Sequence, residues 1–191
     1  MNTRVLLIST LMIGLLTGSA VASSIGIFFS ADGSDCDATV LENTAVTWYI
    51  CAVLGGDAGG SGITGAEFRQ DGTPAGWFMT PAYSPAANVS IGLPTTGGCN
   101  LAFPDCKSGG IVLLYTVSGF ATTSVSDMRL QIHRHTNPSN PHFPCPLLVL
   151  CDGPTYTKIC VPGGEAIING PPCTVGIQQK SWGAVKSLYG H

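Results

Sequence analysis

An all-β fold is what this 191-residue sequence predicts: an antiparallel β-sandwich of the immunoglobulin-like kind with about nine strands. Three observations lead there. Short runs rich in Val, Ile, Phe, Tyr and Thr recur along the chain, separated by clusters of Gly, Pro, Asn and Asp. No segment before residue 178 keeps a helical period. Eight cysteines follow a chain start that has the make-up of an export signal, so disulfides are expected to staple the sandwich.

The elements follow in chain order. Residues 1–22 carry Arg4, then an apolar stretch from Val5 to Leu16, then the small-residue site Ala20-Val21-Ala22, which together read as a secretory signal cleaved after Ala22. The protein is therefore expected to be secreted or periplasmic, with no membrane span once the signal is removed. A sandwich domain is expected over 23–173. Its strands are expected at 24–31, 45–54, 63–70, 76–80, 88–92, 110–118, 125–133, 156–161 and 164–169. Pro162-Gly163-Gly164 reads as the turn of a hairpin between the last two. The glycine-rich stretch 55–62 reads as a loop, because the residues before it are too few to bury a core of their own. Residues 174–191 form a tail in which Trp182, Val185 and Leu188 or Tyr189 recur at helical spacing behind Ser181, a short amphipathic helix.

Charge narrows the functional classes. The net charge is −3, and removing Arg4 with the signal leaves seven cationic against eleven acidic side chains, a net of −4. The densest basic stretch is Arg129 to His135, too little to displace counterions from a nucleic acid. No nucleic-acid partner is expected, and no cofactor.

Export decides how the cysteines are read. All eight (Cys36, Cys51, Cys99, Cys106, Cys145, Cys151, Cys160 and Cys173) lie after the signal, and none forms a CxxC pair. Neighbour pairing is expected: Cys99–Cys106, Cys145–Cys151, Cys160–Cys173 and Cys36–Cys51.

The residues that could carry chemistry are few. Along 125–133, Met128, Leu130 and Ile132 share one strand face, while Asp127, Arg129, Gln131 and His133 share the other. His133 and His135 are the candidates for a metal such as Zn or Cu, with His142 as a third ligand across a proline-containing loop. The competing reading is an exposed strand end running into a disulfide-pinned loop. Asp32, Asp35 and Asp37 crowd together without the glycine and glutamate of an EF-hand, which favours a turn. Leu93-Pro94-Thr95-Thr96-Gly97 matches a sortase signal, but no spanning segment or basic tail follows it. Glu67 is expected on an outer face beside Arg69 as a surface ion pair. Trp48, Tyr49, Trp77 and Tyr83 are candidate binding aromatics, with core packing as the alternative for each.

The stretches GAEFRQDGTPAGWF (65–78), GGCNLAFPDC (97–106), VLLYTV (112–117), LCDGPTYTKICVPGG (150–164) and the WGAVKSLY ending resemble a group of uncharacterised secreted bacterial β-sandwich proteins. More distantly, the strand order and the VLLYTV strand are similar to cohesin and carbohydrate-binding sandwich modules. These resemblances imply fold and supply no catalytic residues. The expected function is a non-catalytic binding or structural module facing an extracellular glycan or an envelope protein. The alternatives are a secreted hydrolase whose carboxylates gather from several strands, and a periplasmic metal binder using His133 and His135.

Overall fold

The structure, a computed structural model, describes residues 22–173. The expected tail, and the expected signal up to Val21, lie outside the described residues. The strands are β1 (Ser24–Phe28), β2 (Asp37–Ala38), β3 (Thr44–Val53), β4 (Ile63–Asp71), β5 (Phe78–Tyr83) and β6 (Val89–Leu93). They continue with β7 (Gly98–Lys107), β8 (Ile111–Ala121), β9 (Met128–His133), β10 (Leu147–Leu150), β11 (Lys158–Cys160) and β12 (Glu165–Ile168). One short helix, α1 (Gly56–Ser61), replaces the loop expected at 55–62, and it buries Ala58 completely.

Two sheets face each other. One has four strands in the order β1-β3-β8-β5; the other has eight, with the path β11-β10-β4-β9-β12-β2 and with β7 on β4 and β6 on β7. Period-2 alternation decides which side chains enter the space between them. In β3, Val46, Trp48 and Ile50 go in, while Thr47 and Tyr49 stay half-exposed. Facing them are Ala66 and Phe68 of β4, Leu130 and Ile132 of β9, and Ala166 and Ile168 of β12, all in one buried cluster. Phe68 meets Tyr115 of β8 edge-on, with ring centroids 6.1 Å apart. The indole N–H of Trp48 donates to Gln70 Oε1 at 2.8 Å, so a polar contact ties the sheets through a fully buried site.

Strand β4 organises the larger sheet. Along it from Asp71 back to Ile63, the partners on one side run from Gln131 to His133 and then from Leu147 to Leu150. The other side belongs to β7 and to Pro94, whose carbonyl accepts the Gln70 N–H. Strands β9 and β10 therefore lie end to end, as one strand interrupted by the excursion 134–146. Their outer partners repeat the pattern, because β12 pairs with β9 and β11 with β10. The hairpin expected around Pro162 is thus absent: its two strands continue one another instead of pairing.

All four expected disulfide pairings are replaced. The bonds are Cys36–Cys173, Cys106–Cys151 and Cys145–Cys160, with Cα separations of 5.6 to 5.9 Å, while Cys51 and Cys99 are free and buried. The physical reason is extension. Cys99 and Cys106 both sit in β7, and a strand rises about 3.3 Å per residue, which puts them on the order of 20 Å apart. A disulfide needs Cα atoms within about 7 Å. Strand β10 likewise separates Cys145 from Cys151, and β12 separates Cys160 from Cys173.

Each bond instead joins segments that the sheet brings side by side. Leu147 is opposite Cys160 in register, two residues from Cys145. Cys106 and Cys151 flank the start of β4, where Gly62 at φ +75° leaves room: a Cβ there would meet the Lys107 carbonyl at 2.8 Å. Cys36 meets Cys173 because β2 pairs with β12. Cys51 points to the outer face of the smaller sheet, in a second buried cluster with Phe28, Cys36 and Val53.

Candidate functional site

The outward residues of β4 are Gly65, Glu67, Arg69 and Asp71, alternating with the core residues Ala66, Phe68 and Gln70. In-register neighbours extend them into rows across the sheet. Val89, Ala102, Gly65, Val149 and Lys158 form one row; Ile91, Asn100, Glu67 and Leu147 form the next. Arg69 lies opposite His133, and Asp71 opposite Gln131. The excursion 134–146 crosses this face and divides it into two depressions.

The first is a groove of about 250 Å³ with mostly apolar walls, among them Val89, Ile91, Ala102 and Val149. Its apolar character comes from the edge strand β6, where Val89, Ile91 and Leu93 are 47, 68 and 45 % exposed. Glu67 reaches into this groove while only 4 % exposed. It is not ion-paired with Arg69 as expected. One carboxylate oxygen accepts the Ser139 backbone N–H at 2.9 Å, and Lys158 Nζ donates to Ser139 Oγ at 3.3 Å. The proline-rich loop is what buries Glu67, so its position was invisible in the alternation of β4 alone.

The second depression, of about 400 Å³, is lined by Arg69, His133, Arg134, His135, Thr136 and Pro144. Arg69 donates from Nη2 to Asp71 Oδ2 at 2.6 Å. The structure brings His133 and His135 to this one hollow but leaves His142 out: it is exposed, and its backbone N–H donates to Asn140 Oδ1. Among the described residues, the group of three metal-ligand types whose atoms lie within 4.8 Å of one another is Cys36, Asp37 and Cys173. Two of those atoms are already joined in a disulfide.

Of the expected binding aromatics, Trp48 and Trp77 are core residues at 0 and 7 % exposure, so stacking on a ligand is closed to them. The Trp77 indole N–H donates to the Thr123 carbonyl. Tyr49 is half-buried over the second cluster. Tyr83 is half-exposed on β5, in the smaller sheet. The Asp32 segment is a closed turn: the Ser34 N–H donates to Asp32 Oδ1, and hydrogen bonds from Ser30 and Ser34 hold the Asp32 carboxyl below its ordinary value. Residues 93–98 are the turn between β6 and β7, with the Thr96 N–H donating to the Leu93 carbonyl.

Sequence reasoning missed the groove because its apolar row belongs to five strands. Only the alternation Val89, Ile91, Leu93 signalled it, and that pattern looks the same whether it faces in or out.

No protein-family model and no curated protein matches the chain. Among solved structures, it is similar to a cohesin module from a family 33 glycoside hydrolase of Clostridium perfringens, at 11 % identity over 80 % of this chain and 98 % of that one, with a TM-score of 0.49. The sixth cohesin of Acetivibrio cellulolyticus scaffoldin B gives 11 % identity over 79 % and 100 %, with a TM-score of 0.46. A non-cellulosomal cohesin from Archaeoglobus fulgidus gives 10 % over 90 % and 100 %, with a TM-score of 0.43. These likenesses concern the arrangement of strands in a β-sandwich, and the two depressions stand on this chain's own residues.

Proposed function

We propose that the chain is an exported, non-catalytic binding module that presents the outer face of its eight-stranded sheet to a protein partner outside the cytoplasm. The observation that carries this reading is the row Val89, Ile91 and Leu93, left exposed along an edge strand beside a groove that holds the buried carboxylate of Glu67. Contiguous apolar surface rimmed by polar groups is what partner binding removes from water, at about 25 cal/mol per Å². The walls are aliphatic, which suits a protein side chain better than a sugar ring. Glu67, Ser139 and Lys158 would then fix orientation. Export is supported by the leader-like start and by three disulfides in a chain of this size. A hydrolytic role has less support, because the carboxylates of this face are already engaged: Asp71 with Arg69, Glu165 with Arg129, and Glu67 with the loop.

The test is capture from an envelope extract with the parent and with the double variant Val89→Glu, Ile91→Glu. Phe78→Ser, on the smaller sheet, serves as control. The double variant is expected to lose capture and the control to keep it. Equal capture by all three proteins contradicts the reading.

A further inference from the structure

The basic hollow beside the groove has its own chemistry. Arg69 and Arg134 both line it, and Asp71 is the carboxylate paired with Arg69 there. Arg134 is half-buried and, among the described residues, makes no ion pair and no side-chain hydrogen bond. Arg69 spends Nη2 on Asp71, but its Nε–H is buried without an acceptor. Two permanent cations against one carboxylate leave an excess of one positive charge before either imidazole takes a proton. This stands in a chain whose net charge is −3.

A partly desolvated guanidinium with unmatched donors is unfavourable unless a charge-bearing acceptor completes it. The guanidinium fork matches the paired oxygens of a carboxylate, sulfate or phosphate.

One imidazole, His135, fits the same ligand. His135 lies over Gly98, where a Cβ would sit 2.5 Å from its Cδ2, so the glycine lets the ring settle against the sheet. Its Nδ1 accepts the Asn137 backbone N–H at 2.9 Å, and a neutral ring must then carry its proton on Nε2, as a donor. His133 is held at its Nε2 side by Gln131 Oε1 and, farther off, Asp71 Oδ2. Thr136 is fixed too, its backbone N–H and hydroxyl both donating to the Gly97 carbonyl. The unspent donors at the wall are thus Arg69 Nε, the Arg134 guanidinium and His135 Nε2, the last two on a pinned loop. The groups bordering it are Arg69, Asp71, His133, Arg134 and His135.

We infer that this hollow is an oxyanion site, taking a carboxylate, sulfate or phosphate group either as a free ion or carried on a larger molecule. A metal cation would meet two guanidiniums at the same place. The inference is independent of the apolar groove, and Val89→Glu, Ile91→Glu leaves it untouched.

The experiment is a titration of the ¹⁵N-labelled exported chain with sodium sulfate, sodium phosphate and sodium glucuronate, each against sodium chloride at equal ionic strength. The arginine Nε–Hε signals of Arg69 and Arg134 and the backbone amides of 133–136 are followed. At least one oxyanion is expected to give saturable shifts confined to these signals, while chloride does not. Saturation by glucuronate alone assigns a carboxylate; saturation by sulfate or phosphate assigns a tetrahedral anion. Arg134→Gln is expected to weaken the saturating anion by roughly tenfold or more, the scale of a lost charge-assisted contact, whereas Arg129→Gln changes nothing. The proposal is overturned by linear shifts shared with chloride, or by unchanged saturation in Arg134→Gln. The parent titration decides the matter even where a variant misfolds.

Discussion

At the scale of single residues, the two thiols that escape pairing are chemically silenced by burial. Desolvation pushes both Cys51 and Cys99 from the ordinary 9.0 up to about 12, and it pushes Tyr115, whose hydroxyl meets Ser90, from 10.0 to about 12. At pH 8 the thiolate fraction falls about a thousandfold below that of an ordinary thiol. Folded protein is therefore expected to show essentially no reaction with a thiol reagent over minutes, and two reactive groups per chain once denatured without reductant. Raised values also fix the sign of the pH dependence. The folded state holds protons that the unfolded chain releases above about pH 9, so this stabilisation is complete below pH 9 and is lost as pH climbs toward 12. Chemical denaturation between pH 8 and 11 is expected to show falling stability, and Cys51→Ala with Cys99→Ala to flatten that fall. A stability that rises across this window contradicts the burial.

At the scale of elements, legibility followed periodicity. Each of the nine expected runs overlaps a strand, because each gathers β-branched and aromatic residues between turn signals; one buried face selects the alternation in β3, β4 and β9, while β5 and β6 are mostly exposed. Three strands were hidden for separate reasons. Strand β2 spans only Asp37 and Ala38, too short for any period. Strand β7 contains Pro104 and Asp105, and it tolerates them because its register against β4 shifts between Ile63 and Gly65. In β10, the apolar run Leu147–Leu150 sits between cysteines, which made it look like the inside of a small disulfide loop. Hidden strands β7 and β10 undid Cys99–Cys106 and Cys145–Cys151, whereas Cys160–Cys173 was undone by β12, a strand the sequence already announced.

The excursion 134–146 was half legible. Its prolines announced a loop, but only the register of β4 shows that it interrupts a strand and walls two hollows. Bond by bond, the closed loops differ in length, with sequence separations of 15 for Cys145–Cys160 and 137 for Cys36–Cys173. Replacing the first pair by alanine is expected to lower stability by about 3 kcal/mol, and the second by about 5 kcal/mol. Denaturant midpoints at constant slope check the order, and the reverse order contradicts it.

At the scale of the whole molecule, the two outer faces are unlike. The smaller sheet has its own small buried cluster over part of its outer face, containing Phe28, Cys51 and Val53. Its β5 edge carries Pro81, which blunts pairing with other chains. The larger sheet keeps an open aliphatic row and a basic hollow side by side, separated by a covalently anchored loop. Because Val89 and Ile91 are exposed, glutamate at both is expected to shift stability by no more than about 1 kcal/mol, about 0.5 kcal/mol for each, while abolishing partner capture. A large loss of stability in that variant would instead mean that the row is core.

Everything claimed for this face requires the β9 and β10 strands to continue one another, with Cys145 tied across to Cys160. Peptide mapping of the unreduced protein, alkylated under denaturing conditions, tests this most directly. Linked peptides are expected for Cys36–Cys173, Cys106–Cys151 and Cys145–Cys160, with label on Cys51 and Cys99. A Cys145–Cys151 or Cys99–Cys106 peptide would contradict this.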